Sequence, residues 1–345
     1  MQGTRKSKAN ATVSDVAREA GVALGTVSKV INGLPVGESY RQKVEEAIKK
    51  LDYQVNTSAK ALKSTRTGMI AMIVPNTISP YFALLTQHIN TALEKRGYQM
   101  LLCFTNYDSG REQALIQLVR QNRVDGIIAL TYNPSLVIPE DISFVTIDRY
   151  FSASVPCIAS DNFGGGRLAA QKLADLGCRH VACFYINVSL SNEPSKRRDG
   201  FIRECTARGL PFEVCNLPDG TQPDALTDAL QSFVSDGKFT LDGLFCGTDL
   251  LAYQVRCLLT GMGYCVPEDV QIIGFDGIRM FGDLDYTCST IVQPVQGIAE
   301  AAVNMVLAPD FGGLPQLVCL PVTYQPGGTT LDAPAAGTAG REGQP

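Results

Sequence analysis

The segment Thr12–Asn32, TVSDVAREAGVALGTVSKVIN, decides how the rest of the chain is read. Val16 and Ala20 stand four residues apart, and Val27, Val30 and Ile31 repeat at i, i+3 and i+4, so the segment describes two short amphipathic helices. Gly21 between them can take the positive φ that a tight turn needs. Thr12 or Ser14 can cap the first helix with a side-chain oxygen. The second helix leaves Leu24, Gly25, Thr26, Ser28 and Lys29 facing outward, a set that suits a DNA groove. A helical hairpin with glycine at its turn also occurs in proteins that bind no DNA, so the spacing alone leaves both readings open.

Charge narrows the choice. Residues 1–66 carry 12 Lys/Arg and 6 Asp/Glu, a net of +6, whereas the remaining 18 basic and 28 acidic residues give −10. A basic head on an acidic body fits a polyanion-binding module attached to a part that need not touch DNA. RQKVEEAIKKLDY adds a third amphipathic helix through Val44, Ala47, Ile48 and Leu51, with Ser39 and Gln42 spaced as a capping box. At 345 residues the chain is long enough for two or three domains. Its eleven cysteines form no C-x-x-C pair and mostly sit in apolar runs such as LLCF and HVACF, as reduced core residues do. No signal peptide precedes the first helix, and no apolar run approaches the ~20 residues of a membrane span, so a cytoplasmic protein is expected.

From Gly68 onward, apolar strands alternate with amphipathic helices: MIAMIV, PYFALLTQHINTALEKRG, QMLLCF, a helix near Glu112–Gln121, VDGIIAL. The pattern resumes with SFVTID, HVACFY, helices near Lys196–Arg208 and Asp224–Val234, GLFCG and VQIIGFD. Such βα alternation implies parallel sheets covered by helices on both faces, and there are too many units for one comfortable sheet, so two α/β lobes are expected. Ligands of such sheets sit beyond the strand carboxyl ends. That rule selects Asp148 after FVTI, Thr248 and Asp249 after LFCG, Asp276 after IIGF, and Tyr81 and Phe82 at the start of the first body helix. Asp249 reads equally as a helix N-cap or a ligand contact, and core is the alternative reading of Tyr81 and Phe82. An enzyme with a fused DNA-binding domain is a further class, but NFGGGR lacks G-x-G-x-x-G spacing, no Walker sequence occurs, and His88 and His180 alone cannot make a zinc motif. No catalytic set, metal or cofactor is therefore expected.

The Thr12–Asn32 string resembles, nearly residue for residue, the DNA-binding headpiece of the lactose-repressor family of bacterial transcription regulators. SDN at Ser160–Asn162, RRDGF at Arg197–Phe201, GFDG at Gly274–Gly277 and TIVQP at Thr290–Pro294 resemble the periplasmic-binding-protein-like effector domain of the same family. The resemblance implies a headpiece at 12–53, a hinge at 54–66 and a two-lobed effector and dimerisation domain at 67–331. Lobe 1 would comprise about 67–160 and 294–320, lobe 2 about 161–292 and 321–331, with 1–11 and 332–345 disordered. It also implies a homodimer on near-palindromic operator DNA and a sugar-like effector in the cleft; a purine or nucleoside effector or a protein corepressor are the alternatives.

By the same resemblance, Leu24, Gly25 and Lys29 read bases, with Thr12, Ser14, Thr26, Ser28 and Asn32 as phosphate or base contacts. Lys29 replaces a common arginine and loses its planar fork. Asn56 would cap a hinge helix through Ala59, Leu62 and Lys63, with Leu62 wedged into the minor groove. That helix is shorter than the ~12–15 residues needed for independent helicity, and Val55 stands where the family usually has proline. In the cleft, Asp148 and Asp276 would accept polyol hydroxyls, Arg197 would donate, and Tyr81, Phe82 or Phe245 would cover an apolar sugar face. Ser191 stands where purine-binding relatives use an arginine, which speaks against a nucleobase.

Overall fold

The computed structural model describes residues 11–53, 67–133, 135–150, 155–187, 193–218, 223–279, 285–308 and 317–331. Val55, Asn56, Ala59, Leu62, Lys63 and Ser191 lie outside the described residues, as do 1–10 and 332–345. The chain divides into two compact units, Met1–Thr67 and Gly68–Pro345.

In the first unit, helices α1 (Val13–Ala20), α2 (Leu24–Ile31) and α3 (Glu38–Lys50) surround a small core of Val16, Ala17, Ala20, Val27, Val44, Ala47 and Tyr53. Thr12, not Ser14, caps α1: its hydroxyl accepts from the Asp15 N–H, while Asp15 accepts from the Thr12 N–H at 2.9 Å, a reciprocal capping box. Gly21 closes the helix at φ 63°, which an L-residue adopts only with strain. The expected box at Ser39 and Gln42 does not form; Gly37 is the N-cap of α3, and Ser39 already lies inside the helix. Ala11, assigned to a disordered leader, packs against the headpiece core.

The second unit holds two six-stranded sheets. The first runs β13-β5-β4-β3-β1-β2, all parallel, from β1 (Met69–Val74), β2 (Gln99–Phe104), β3 (Gly126–Ala129), β4 (Ser143–Ile147), β5 (Cys157–Ser160) and β13 (Leu317–Leu320). Ile70, Met72 and Val74 point to the face covered by α4 (Pro80–Glu94) and α10 (Val295–Val306), while Ala71 and Ile73 point to the face covered by α5 (Ser109–Gln121). This two-sided burial explains the unbroken apolar run MIAMIV. The second sheet runs β14-β12-β11-β10-β6-β7, from β6 (Val181–Asn187), β7 (Phe212–Pro218), β10 (Gly243–Cys246), β11 (Gln271–Asp276), β12 (Ser289–Val292) and an antiparallel β14 (Thr323–Gln325). Helices α6 (Asn162–Asp175) and α7 (Lys196–Arg208) cover one face, and α8 (Pro223–Gln231) and α9 (Asp249–Gly261) the other. The helix expected to reach Val234 stops at Gln231, because Val234–Ser235 and Lys238–Phe239 pair as a small hairpin, β8 and β9, across Gly237 at φ 73°. The chain passes between the sheets after β5, after β12 and between β13 and β14.

Candidate functional site

Between the two sheets lies a cavity of about 350 Å³, walled by residues just past strand carboxyl ends in both lobes. Tyr81, Phe82, Asp148, Arg197, Thr248, Asp249 and Asp276 all line it. Asp148 turns the chain at φ 57°, the left-handed region that aspartate tolerates better than most residues. Its N–H donates to the Ile158 carbonyl at 2.9 Å, and the Thr146 hydroxyl donates to the Arg149 carbonyl at 2.6 Å, so the turn is pinned on both sides. The Tyr81 hydroxyl donates to Asp148 Oδ2 at 3.4 Å, whereas Oδ1 is buried and has no partner among the described residues. Burial pushes the Asp148 carboxyl up to about 6, against the pull of the Arg197 charge. From the other lobe, the Glu193 N–H donates to the Asp148 carbonyl at 3.3 Å.

Arg197 anchors a closed ring of polar contacts. Its Nε donates to Asn162 Oδ1 at 2.7 Å, and Asn162 Nδ2 donates to the Ser160 carbonyl at 3.0 Å. The Ser160 hydroxyl donates to Gln293 Oε1 at 2.7 Å, Gln293 Nε2 donates to Asp276 Oδ1 at 2.8 Å, and that oxygen lies 3.5 Å from Arg197 Nη1. Arg197 Nη1 also donates to the Gly247 carbonyl at 2.7 Å. Ser160 and Gln293 sit at two of the chain's passages between lobes, so the ring ties those passages to the cavity wall. Burial raises the Asp276 carboxyl well above the ordinary carboxylate range, with Arg197 opposing and the nearby Asp249 charge reinforcing.

Helices α6 and α7 place Arg197 and Asn162 by touching backbone to backbone. A Cβ on Gly166 would lie 1.8 Å from the Arg197 carbonyl oxygen, and one on Gly200 would lie 2.0 Å from that of Phe163. Gly166 of NFGGGR and Gly200 of RRDGF are thus the helix-packing contacts, while Gly165 faces Phe275 and Ile291 of the sheet.

Two expected site residues have other roles. Phe245 does not reach the cavity: it is fully buried in lobe 2, its ring 5.5 Å from that of Phe201 and 6.5 Å from that of Phe275. It sits on a central strand buried on both faces, where an aromatic near the strand end can turn to either side. Asp249 is not the N-cap of α9, since the Thr248 hydroxyl accepts from the Leu251 N–H at 3.2 Å. Nor are its oxygens open: Oδ2 accepts from the Ile278 N–H at 2.7 Å, and Oδ1 accepts from the Thr290 hydroxyl at 2.6 Å. Asp249 bolts the Ile278 segment to the cavity floor. Tyr81 and Phe82 serve both as core and as wall.

The sequence reading missed four more tyrosines in the wall, Tyr107, Tyr132, Tyr185 and Tyr253. Tyr107 and Tyr132, with rings 5.6 Å apart, each stand three residues beyond a strand, β2 and β3, so the strand-end rule applied to every strand would have found both. Burial, and secondarily the Asp148 charge, holds the Tyr81 phenol well above its ordinary pKa, so it stays a neutral donor.

On the headpiece, Gly25, Ser28 and Lys29 are exposed and Thr26 is half-buried, while Leu24 is 48% exposed despite its apolar side chain. Asn32 Nδ2 donates to the Ser28 carbonyl at 2.8 Å and so closes α2. No side chain caps the start of α2 at Ala23.

Family models match both units: residues 12–56 match "Bacterial regulatory proteins, lacI family", and residues 67–306 match "Periplasmic binding proteins and sugar binding domain of LacI family". A sucrose operon repressor of Pediococcus pentosaceus is 31% identical over 298 residues, 86% of this chain and 91% of that protein. The ribose operon repressor of Escherichia coli K12 is 31% identical over 312 residues, 86% of this chain and 92% of that one. Among solved structures, the lac repressor dimer bound to operator and the anti-inducer ONPF superposes with a TM-score of 0.79 at 19% identity, covering 94% of this chain and all of that one, a likeness of fold. The chain belongs to the lacI family of bacterial regulatory proteins, as a DNA-binding headpiece joined to a periplasmic-binding-type domain.

Proposed function

We propose that the protein is a homodimeric operator-binding repressor, acting in the cytoplasm, whose DNA affinity is set by a sugar-like effector held in the interlobe cavity. The observation that carries the effector half is Asp148 Oδ1, a buried carboxylate oxygen without a partner among the described residues, in a cavity also lined by Arg197 and Asp276. Leaving such an oxygen unsatisfied costs roughly 1–3 kcal/mol, which a ligand hydroxyl recovers. Carboxylates that accept, an arginine that donates and tyrosine rings that cover apolar faces together fit a neutral polyol. The cavity is of ligand size by the ~300–1,000 Å³ that such pockets span. The match to sucrose and ribose operon repressors supports the sugar class. The cleft binds and releases its ligand unchanged; Asp148, Asp276 and Arg197 are assigned binding roles and no chemical step.

At the DNA end, Leu24, Gly25 and Lys29 are assigned base contacts. Leu24 meets a thymine methyl, Gly25 lets backbone approach, and Lys29 donates to guanine. Thr12, Ser14, Thr26, Ser28 and Asn32 flank them as phosphate or base contacts. In the hinge, Asn56, Ala59, Leu62 and Lys63 are assigned the minor groove. Effector binding changes lobe closure, and lobe closure changes how well the paired hinges and headpieces engage a half-site pair, a shift between two populations. Thermal-shift screening of the chain against mono- and disaccharides, polyols and purines tests the effector class. A sugar that raises the midpoint supports it, and stabilisation by a purine alone contradicts it.

A further inference from the structure

The residues that line the cavity differ in chemistry according to their exposure. Its charged members, Asp148, Arg197, Asp249 and Asp276, are all buried, none more than 7% exposed. Its exposed members, Pro80, Tyr107, Leu250 and Tyr253, carry no charge, and the two tyrosines are 55% and 48% exposed. The cavity therefore has a charged floor and an aromatic mouth. Tyr107 belongs to lobe 1, on the turn between β2 and α5, whereas Leu250 and Tyr253 stand on α9 of lobe 2, so each lobe contributes one side of the mouth. Exposed apolar side chains gathered at one opening mark a place where an apolar group docks.

Tyr107 is held there against its backbone preference. The turn Thr105–Asp108 is closed by the Asp108 N–H, which donates to the Thr105 carbonyl at 3.1 Å, and both central residues have positive φ, Asn106 at 53° and Tyr107 at 61°. Two such residues in succession favour Asn-Gly, and a bulky tyrosine in the second place is strained. Neighbouring bonds fix the turn: the Asn106 N–H donates to the Pro75 carbonyl at 2.8 Å, and Asp108 Oδ1 accepts from the Arg111 N–H at 2.8 Å. Strain maintained in this way points to a use for the side chain that bears it. Both mouth rings are also steadied by a neighbour: Tyr107 by Tyr132, with centroids 5.6 Å apart, and Tyr253 by the Arg256 guanidinium, 5.3 Å from its centroid. We propose that the mouth is a second subsite, in which Tyr107 and Tyr253 hold the outer ring of a glycoside whose inner sugar lies on Asp148, Asp276 and Arg197. The outer ring is an aryl group or a second sugar, each of which offers an apolar face to tyrosine. This rests on the cavity being a sugar effector site, and it narrows the effector from any polyol to a ring-bearing glycoside.

Titration calorimetry on the full chain compares methyl and phenyl glycosides of D-glucose, D-galactose and D-ribose in both anomers, with sucrose set against methyl α-D-glucoside. Expected for the unaltered chain is a ring-bearing glycoside that binds at least about tenfold more tightly than the methyl glycoside of the same sugar. A gain for phenyl identifies an aryl outer ring, and a gain for sucrose a second sugar. Tyr107→Gly, which suits the turn, and Tyr253→Ala, on an exposed helix face, should each weaken the ring-bearing ligand by about fivefold or more and the methyl glycoside by less than about twofold. Equal affinities of methyl and ring-bearing glycosides for the unaltered chain overturn the proposal, as does a gain that survives either substitution. Equal losses of the two ligands in the variants overturn it too, by making the tyrosines residues of general structure. If no sugar or glycoside binds at all, the sugar reading has itself failed and the subsite falls with it. A methyl glycoside that binds while the outer ring adds nothing sinks the subsite alone.

Discussion

The guanidinium carbon of Arg197 lies 3.6 Å from the centroid of the Phe275 ring, so the cation that lines the cavity is stacked flat on the core of its own lobe. The neighbouring residue of Phe275 is Asp276, whose carboxylate Arg197 also faces. Aromatic, carboxylate and arginine thus make one rigid corner, in which the planar fork is aimed by stacking and by its bonds to Asn162 and Gly247.

A lysine cannot take that corner. Arg197→Lys keeps the charge but loses the stacked plane and a charged hydrogen bond, and it should weaken effector binding by roughly 1.5–3 kcal/mol, about ten- to a hundredfold. Operator affinity without effector should hold. Titration calorimetry with the sugar found by thermal shift checks the first part, and operator anisotropy checks the second.

Asp148 predicts opposing pH trends. Its folded pKa, about 6, lies above the unfolded value, so between the two the folded chain binds more protons than the unfolded chain. The stability contributed by this group is therefore full below the unfolded pKa and lost as pH rises through about 6. Effector binding needs the charged acceptor and should weaken as pH falls through the same range. Asp148→Asn should flatten both trends, as read by calorimetry and thermal melts from pH 5 to about 8.

Gly166→Ala tests the contact that sets Arg197. The added methyl would collide with the Arg197 carbonyl, forcing α6 and α7 apart. Overpacking of this kind should cost about 1–3 kcal/mol in chemical unfolding, with a lower effector affinity besides. Gly97→Ala would serve as a contrast: it sits in open space, and its cost comes from φ 76° alone, so effector affinity should stay unchanged.

How much of this was legible in the chain follows from what each feature depends on. Thr12–Asn32 could be read almost completely because capping, turn and apolar spacing are local, and Gly21 and Thr12 do what their types favour. The strand-end rule reached Asp148, Thr248, Asp249 and Asp276 for the same reason. Phe245 was misassigned because a strand buried on both faces carries no polar alternation to say which side an aromatic takes. The role of Asp249 as a bolt was invisible because its partners, Ile278 and Thr290, are 29 and 41 residues away.

For the hinge, Leu62→Ala should reduce specific operator affinity far more than non-specific binding, since a wedge between base pairs matters only on a site that kinks there. Competition anisotropy with operator and scrambled duplexes measures both. Equal losses on the two DNAs would rule out the wedge. Both affinities should fall steeply with salt.

The central claim is that occupancy of the interlobe cavity sets operator affinity, and it is tested most directly by fluorescence anisotropy of a labelled operator duplex at fixed protein. The stabilising sugar is titrated into the unaltered chain and into Asp148→Asn in parallel. A saturable change in operator affinity of about 5–150-fold in the unaltered chain, displaced to much higher sugar concentration in Asp148→Asn, is the predicted result. Operator affinity that stays constant while the sugar demonstrably binds, or that responds identically in both proteins, would contradict it.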